Sequence, residues 1–410
     1  MTANGHFDEL ELRSADERSR DIAEALPNLI ATAKERAAGY SRMLAEVNPA
    51  EIRSEEDLRR LPVLRKSDIT RLQEAHPPYG GLTTKPAADF DNFFLSPGPI
   101  HEPGMAGGDW WRAARFLHAC GIGRGDIVQN CFSYHLTPAG LVFESGARSV
   151  GATVLPAGPG QTELQVQAAF RAGVTAYVGT PDFLKIILDR ADELGVDLTK
   201  ISKAAVSAGA LFPSTRQYYR DRGISCLQAY ATAELGNIAY ETVPDEGLII
   251  DEHVAVEVVT PGTGDPVEEG RVGEVVVTTL NHDYPLIRFA TGDLSAFLPG
   301  TSSCGRTNRR LVGWKGRADQ STKIKGMFVR PEQVAELVAH NPRIVRARVV
   351  VTRENEMDAM TVLAESAASD VPELNKSVSE ILKLRGAVEI RPIGSLPDDG
   401  KVIDDQRNYD

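Results

Sequence analysis

From about residue 110 to 210 the chain alternates short apolar runs with helical stretches, the runs falling at 127–131, 153–156, 176–179 and 203–207. That alternation constrains the fold more than anything else in the sequence. Apolar runs this short, separated by helix-length segments, predict parallel strands joined by crossover helices. The predicted class is α/β, with parallel αβ sheets forming the body of a large N-terminal domain.

The flanks differ in texture. In the first hundred residues Ile22, Leu26, Leu29, Ile30 and Ala33 recur at helical spacing, and Ser54 ahead of Glu55, Glu56 and Asp57 reads as a capped helix start. Between 247 and 312 the chain turns β-rich, with runs at 254–259 and 274–278 around the turn Pro261-Gly262-Thr263-Gly264-Asp265. Antiparallel hairpins beside the parallel sheet are expected there.

The last ninety residues predict strand (322–329), helix (331–340), strand (345–352), strand (359–364), helix (371–384) and strand (388–392). Pro331 suits a first helical turn, and Leu374, Val378, Ile381 and Leu382 share one apolar face. A βαββαβ unit of this kind is a small α+β domain of its own. The boundary is placed near 316–319, giving a large domain over 1–318 and a small one over 319–410.

A length of 410 residues fits two or three domains rather than one core. The formal net charge of −12 argues against a polynucleotide binder, which needs a basic face. The N-terminus, through Asp16 and Arg18, is polar and acidic rather than a basic leader followed by an apolar stretch. No apolar run is long enough to span a bilayer. Cys120, Cys131, Cys226 and Cys304 are scattered without metal-ligand spacing. A cytoplasmic protein with reduced thiols and no structural metal is expected, and a homodimer is compatible with the sequence.

Three stretches have the composition of a nucleotide site. In Tyr284-Pro285-Leu286-Ile287-Arg288-Phe289-Ala290-Thr291-Gly292-Asp293-Leu294 a strand runs into a Thr-Gly turn and presents a carboxylate at its tip. An ionised Asp only accepts hydrogen bonds, and its two oxygens can take both hydroxyls of a ribose. In Gly313-Trp314-Lys315-Gly316-Arg317-Ala318-Asp319-Gln320-Ser321-Thr322-Lys323-Ile324-Lys325-Gly326 glycines, cations and an acid alternate across the proposed domain junction. In Gln228-Ala229-Tyr230-Ala231-Thr232-Ala233-Glu234-Leu235-Gly236 an aromatic, a hydroxyl and a carboxylate follow a strand, and Glu234 reads as a first-turn acid of a helix.

In this order and spacing the stretches resemble the adenylate-forming superfamily, and within it the phenylacetate–CoA ligase family. The resemblance runs from Ser54-Glu55-Glu56-Asp57-Leu58-Arg59-Arg60-Leu61-Pro62 to the C-terminus and takes in Gly125-Asp126, Gly151-Ala152 and Gly160-Gln161-Thr162-Glu163. It implies an AMP-forming acyl-CoA ligase with ATP, Mg²⁺ and coenzyme A as its cofactors.

Carried onto this chain, the resemblance makes Asp293 the ribose ligand with Arg317 as a second contact, sets Tyr230 against adenine, and gives Glu234 the Mg²⁺. Ala231, Thr232, Gly209, Ser96 and Gly98 would also line the nucleotide. Asp319 would be the hinge of the small domain, and Lys401, after Leu396-Pro397-Asp398-Asp399-Gly400, the lysine it delivers to the reacting phosphate. Lys325 and Gly326 would meet coenzyme A, while Tyr134 and His135, in an aromatic-rich stretch, would border a small aryl or arylacetic acid. Attack of a carboxylate on the α-phosphorus brings anions together, so positive charge has to be supplied there.

The chain departs from the family at its phosphate loop, Leu95-Ser96-Pro97-Gly98-Pro99-Ile100-His101-Glu102-Pro103. Proline offers no N–H to a phosphate, and Glu102 stands where a cation is expected. Ala233 replaces the usual hydroxyl, and Ala210 a common acid. Of the positions near Thr242, His253, Ser302 and Cys304, where some members carry a metal site, only His253 and Cys304 keep ligand chemistry, so no zinc is predicted. Two alternatives stay open: an adenylating enzyme that loads a carrier protein or an amine, and a degenerate homologue that binds nucleotide without turnover.

Overall fold

The computed structural model describes residues 5–96, 99–318, 320–354, 357–397 and 401–407. The chain divides into two compact units, Met1–Leu211 with Arg216–Trp314, and Phe212–Thr215 with Lys315–Asp410.

In the larger unit the apolar runs form the centre of a nine-stranded sheet. Its order is Phe297–Leu298, Arg310–Leu311, Leu248–Ile250, Gly236–Tyr240, Ser225–Thr232, Lys203–Ser207, Ala176–Gly179, Ile127–Asn130 and Thr153–Pro156. From Ser225–Thr232 to Thr153–Pro156 every pairing is parallel, and Gly236–Tyr240, Leu248–Ile250 and Arg310–Leu311 join antiparallel. Successive residues of the central strands enter different cores. Tyr177, Ala204 and Val206 pack with Leu184 and Ile187, whereas Val178 and Ala205 pack with Phe116 and Phe143. Apolar matter on both faces is why these runs show no polar alternation.

A four-stranded sheet of Leu64–Arg65, Phe289–Ser295, Gly273–Thr279 and Val254–Val259 carries the β-rich segment. The helix Ala15–Arg36 buries Leu26, Leu29, Ile30 and Ala33 in the same core as Val256, Val277 and Phe289. Its start is fixed by Ser14 and Glu17, each bonding the other's backbone N–H. Arg288, 2% exposed, is held by Glu257 and by the carbonyls of Leu61 and Gly264, which ties the helical segment to the sheet.

The smaller unit has the predicted order of elements with two additions. The strand expected over 322–329 is a hairpin of Thr322–Ile324 and Met327–Val329, turning at Lys325 and Gly326 with φ of 48° and 83°. A four-stranded sheet then runs Ala387–Arg391, Met357–Glu365, Arg346–Glu354 and Ile403–Asp405, the last strand being the second addition. The second helix is shorter than expected, Leu374–Ile381, because Glu373 before it is left-handed, φ 68°.

Candidate nucleotide site

Since the strands Ile127–Asn130, Lys203–Ser207 and Ser225–Thr232 are parallel, their carboxyl ends lie at one edge of the sheet, where ligands of such sheets bind. Tyr134 and His135 follow the first, Gly209 follows the second, and Tyr230, Ala231 and Thr232 end the third. Ala208 turns the chain with φ 62°, and the Ser207 hydroxyl donates to the Ala229 carbonyl at 2.9 Å, which binds neighbouring strands together just below the turn.

Asp293 is not at a strand tip, as its sequence predicts, but inside Phe289–Ser295. There the pairing passes from Val276 opposite Ala290 to Glu274 opposite Leu294, so Thr291, Gly292 and Asp293 stand against Val275 alone. The Thr291 hydroxyl closes the bulge by donating to the Val275 carbonyl at 2.9 Å. Bulges re-aim side chains. Here the Asp293 carboxylate accepts from the Tyr230 phenol at 2.8 Å and from the Trp314 indole N–H at 3.1 Å. The strand bearing Tyr230 is irregular too, its register to Gly236–Tyr240 shifting between Tyr230 and Ala231.

Glu234 belongs to no helix. It occupies the turn between Ser225–Thr232 and Gly236–Tyr240, where Leu235 N–H donates to the Thr232 hydroxyl at 3.2 Å. Gly236 has φ 74°, and a Cβ there would come within 2.7 Å of the Trp111 carbonyl oxygen, so only glycine closes this turn.

The Glu234 carboxylate, 8% exposed, receives the Lys66 ammonium on Oε1 at 2.8 Å. Its Oε2 is buried without a hydrogen-bond partner among the described residues. Glu102, 1% exposed, lies beside this pair; its Oε1 accepts from the Ser96 hydroxyl at 2.7 Å and its Oε2 is likewise unpartnered. Burial, and then the Glu234 charge, push the Glu102 carboxyl well above its ordinary range. Burial acts on Glu234 in the same direction, but the Lys66 charge and hydrogen bond outweigh it and leave Glu234 below its ordinary range. The two carboxyls are thus pushed in opposite directions, Glu102 towards its neutral form and Glu234 towards its charged one. The Tyr284 hydroxyl, buried and unbonded among the described residues, faces the same cluster, and its acidity is suppressed by burial and then by Glu102 and Glu234.

Other expected site residues have their own local partners. The Tyr134 hydroxyl accepts from Asn130 Nδ2 at 2.8 Å, its ring fills the space where a Gly140 side chain would begin, and burial followed by Glu144 pushes it upward. His135 is exposed. In the smaller unit Arg317 donates from Nε to the Ser321 hydroxyl at 2.9 Å, and Lys325 N–H donates to Asp358 at 2.9 Å. Lys401, its side chain 56% exposed, pairs with Asp404 at 3.0 Å. Gly98, Asp319, and the turn 398–400 before Lys401 lie outside the described residues.

Sequence reasoning passed over Lys66 and the Trp314 contact, and noted Glu102 only as a misplaced acid. No local signal marks Lys66, because its partner lies far away in the chain; in the stretch 313–326 the alternating glycines and charges draw attention away from Trp314.

The hard oxygens of Glu234 suit Mg²⁺, which commonly takes one or two carboxylates together with substrate phosphates. The orphaned Oε2 fits that use. Among the described residues no group of three or more His, Cys, Asp or Glu could hold a metal by itself.

No family model matches the chain. Among solved structures, 2-hydroxyisobutyryl-CoA ligase in complex with 2-HIB-AMP and CoA superposes with a TM-score of 0.85 at 24% identity, over 100% of this chain and 94% of that one. The amide bond synthetase McbA from Marinactinospora thermotolerans gives 0.55 at 16% identity, over 94% and 92%. The chain thus has the adenylate-forming ligase fold, with a large N-terminal and a small C-terminal domain. By sequence it is 31% identical over 378 residues to the phenylacetate–coenzyme A ligase of Thermus thermophilus, covering 87% of this chain and 83% of that protein. It is 30% identical over 391 residues to that of Escherichia coli K12, covering 90% and 87%. The chain belongs to the phenylacetate–coenzyme A ligase family. Among the described residues no helix is long and apolar enough to cross a membrane.

Proposed function

We propose that this protein is an AMP-forming acid–coenzyme A ligase acting on a small aryl or arylacetic acid. A carboxylate oxygen of the acid attacks the α-phosphorus of ATP, the bond to the β-phosphate breaks, and pyrophosphate leaves. The coenzyme A thiol then attacks the acyl carbon, giving up its proton to solvent, and AMP departs as the thioester forms.

The observation that carries this reading is the Asp293 carboxylate, turned by a bulge toward Tyr230 at the carboxyl edge of the parallel sheet. A ribose there exchanges the phenol and indole donors for its own hydroxyls, with the Tyr230 ring beside the base. Arg317 is the second contact of the nucleotide, and Ser96, Gly98, Gly209, Ala231 and Thr232 line it. Glu234 would hold Mg²⁺, whose charge offsets that of the phosphates. Residues 1–318 are the adenylating body, and 319–410 move about Asp319 to bring Lys401 to the reacting phosphate and later Lys325 and Gly326 to coenzyme A. Tyr134 and His135 border the acid.

Incubation with ATP, Mg²⁺, coenzyme A and a panel of aryl and arylacetic acids should yield AMP and thioester in equal amounts. Exchange of pyrophosphate into ATP without coenzyme A reports the first half-reaction alone. AMP formation that requires an amine or a carrier-protein thiol instead would replace the acceptor in this reading. ATP binding without turnover on any acid would replace the enzyme with a nucleotide-binding homologue.

A further inference from the structure

The loop that should carry a phosphate-binding cation carries Glu102, and the nearest cation stands on a different element. Lys66 opens the helix Lys66–Ala75, whose start is set by Asp68 accepting from the Arg65 N–H at 2.9 Å. Immediately before it, Leu64 and Arg65 pair in parallel with Phe289 and Ala290, so Lys66 leaves the sheet level with the Thr291–Asp293 bulge. The same helix is locked to the Glu102 strand, Ile100–Gly104. The Gln73 amide accepts from His101 N–H and donates to His101 C=O, both at 2.8 Å. Lys66 Nζ is thereby fixed on Glu234, with its side chain 36% exposed.

We infer that Lys66 supplies the phosphate-directed positive charge that the loop lacks, and that Glu102 is its positioning residue. The inference rests on the ligase reading, in which Glu234 faces the phosphates. In the free protein Lys66 neutralises one oxygen of Glu234. With a nucleotide bound, Glu234 would hold its metal, and Lys66, no longer needed to neutralise that carboxylate, would be free to meet the β- and γ-phosphate oxygens. Glu102 anchors Ser96 and lies beside Glu234 while, among the described residues, the Lys66 ammonium pairs with Glu234 and the Glu102 Oε2 has no hydrogen-bond partner. A lysine at position 102 would crowd Lys66 with a like charge, which gives a physical reason for the acid standing there.

The test is calorimetric titration of the full-length protein with two probes, ATP and AMP, each with MgCl₂. A cation that meets the β- and γ-phosphates affects ATP and spares AMP. K66Q keeps a donor to Glu234 without the charge, and should weaken ATP by about tenfold or more while AMP stays within about twofold. K66R should restore most of the ATP affinity. E102A should lower the ratio of ATP to AMP affinity by roughly three- to tenfold, and E102Q, which can still bond Ser96, should restore it. Should E102A fail to fold, S96A removes the same contact and takes its place. An unchanged ratio in K66Q overturns the role of Lys66, and an unchanged ratio in E102A that of Glu102. Wild-type protein that binds neither nucleotide removes the ligase reading and this inference together; wild type that binds both, with unmoved variants, removes this inference alone.

Discussion

The Tyr230 phenol donates to the Asp293 carboxylate at 2.8 Å, and that bond joins two sheets. Tyr230 ends a strand of the nine-stranded sheet, and Asp293 lies in the four-stranded one. Both strands are out of regular register at these residues. The phenol and the indole N–H are neutral donors to this carboxylate, and a hydroxyl that takes the place of either replaces one neutral donor by another.

The first prediction follows from that exchange. Asp293→Ala should weaken ATP binding by about tenfold or more, the worth of one hydrogen bond to a charged acceptor. Wild type should prefer ATP to 2′-deoxy-ATP, and the variant should lose the preference. Binding constants for both nucleotides to both proteins check this; an equal preference in the two would remove Asp293 from the ribose.

The turn that presents Glu234 is the next target. Gly236→Ala places a Cβ 2.7 Å from the Trp111 carbonyl oxygen in a left-handed residue. Strain of this kind costs about 1–3 kcal/mol, so the urea midpoint should fall accordingly. Because Glu234 lies in the same turn, ATP affinity in the presence of Mg²⁺ should fall with it. A variant as stable as wild type would show that the turn can open without loss.

How much of this was legible in the sequence depends on distance along the chain. The parallel strands could be read because two-sided burial writes itself as an unbroken apolar run, as at 176–179 and 203–207. Asp293 and Tyr230 could be read from their motifs, but not their contact, because the bulges that turn them together are set by pairing with distant strands. Glu234 was expected on a helix. Gly236 two residues later was the available signal for a tight turn instead. Glu234 and Glu102 could each be singled out from their motifs, but the Lys66–Glu234–Glu102 cluster was beyond reach, since its members come from three separate segments and Lys66 alone resembles an ordinary surface charge.

Acid titration supplies another prediction. The Asp109 carboxyl, which accepts from the Ala113 and Ala114 N–H groups, is pushed up to about 6, chiefly by burial. A carboxyl that holds its proton more tightly folded than unfolded favours the native state in acid. Its contribution should therefore fall as pH rises from about 4 to about 6 and stay level above, on the order of 2 kcal/mol in all. Asp109→Asn should lack this slope. Urea midpoints of both proteins between pH 4 and 8 test it, and parallel curves would refute the shift.

Lys401 offers the cleanest separation of chemistry from stability. Its pair with Asp404 is a surface contact on a side chain 56% exposed, and such pairs add little to folding. Lys401→Ala should accordingly melt with wild type. If the lysine meets the charge that builds on the α-phosphate, pyrophosphate exchange should fall about a hundredfold or more, because a lost charge-stabilising contact is worth about 3 kcal/mol in such sites. Formation of thioester from preformed acyl-adenylate, where that charge no longer develops, should change by less than about tenfold. A uniform loss in both half-reactions would mark Lys401 as a general binding residue, and full retention of exchange would take it out of the adenylation step.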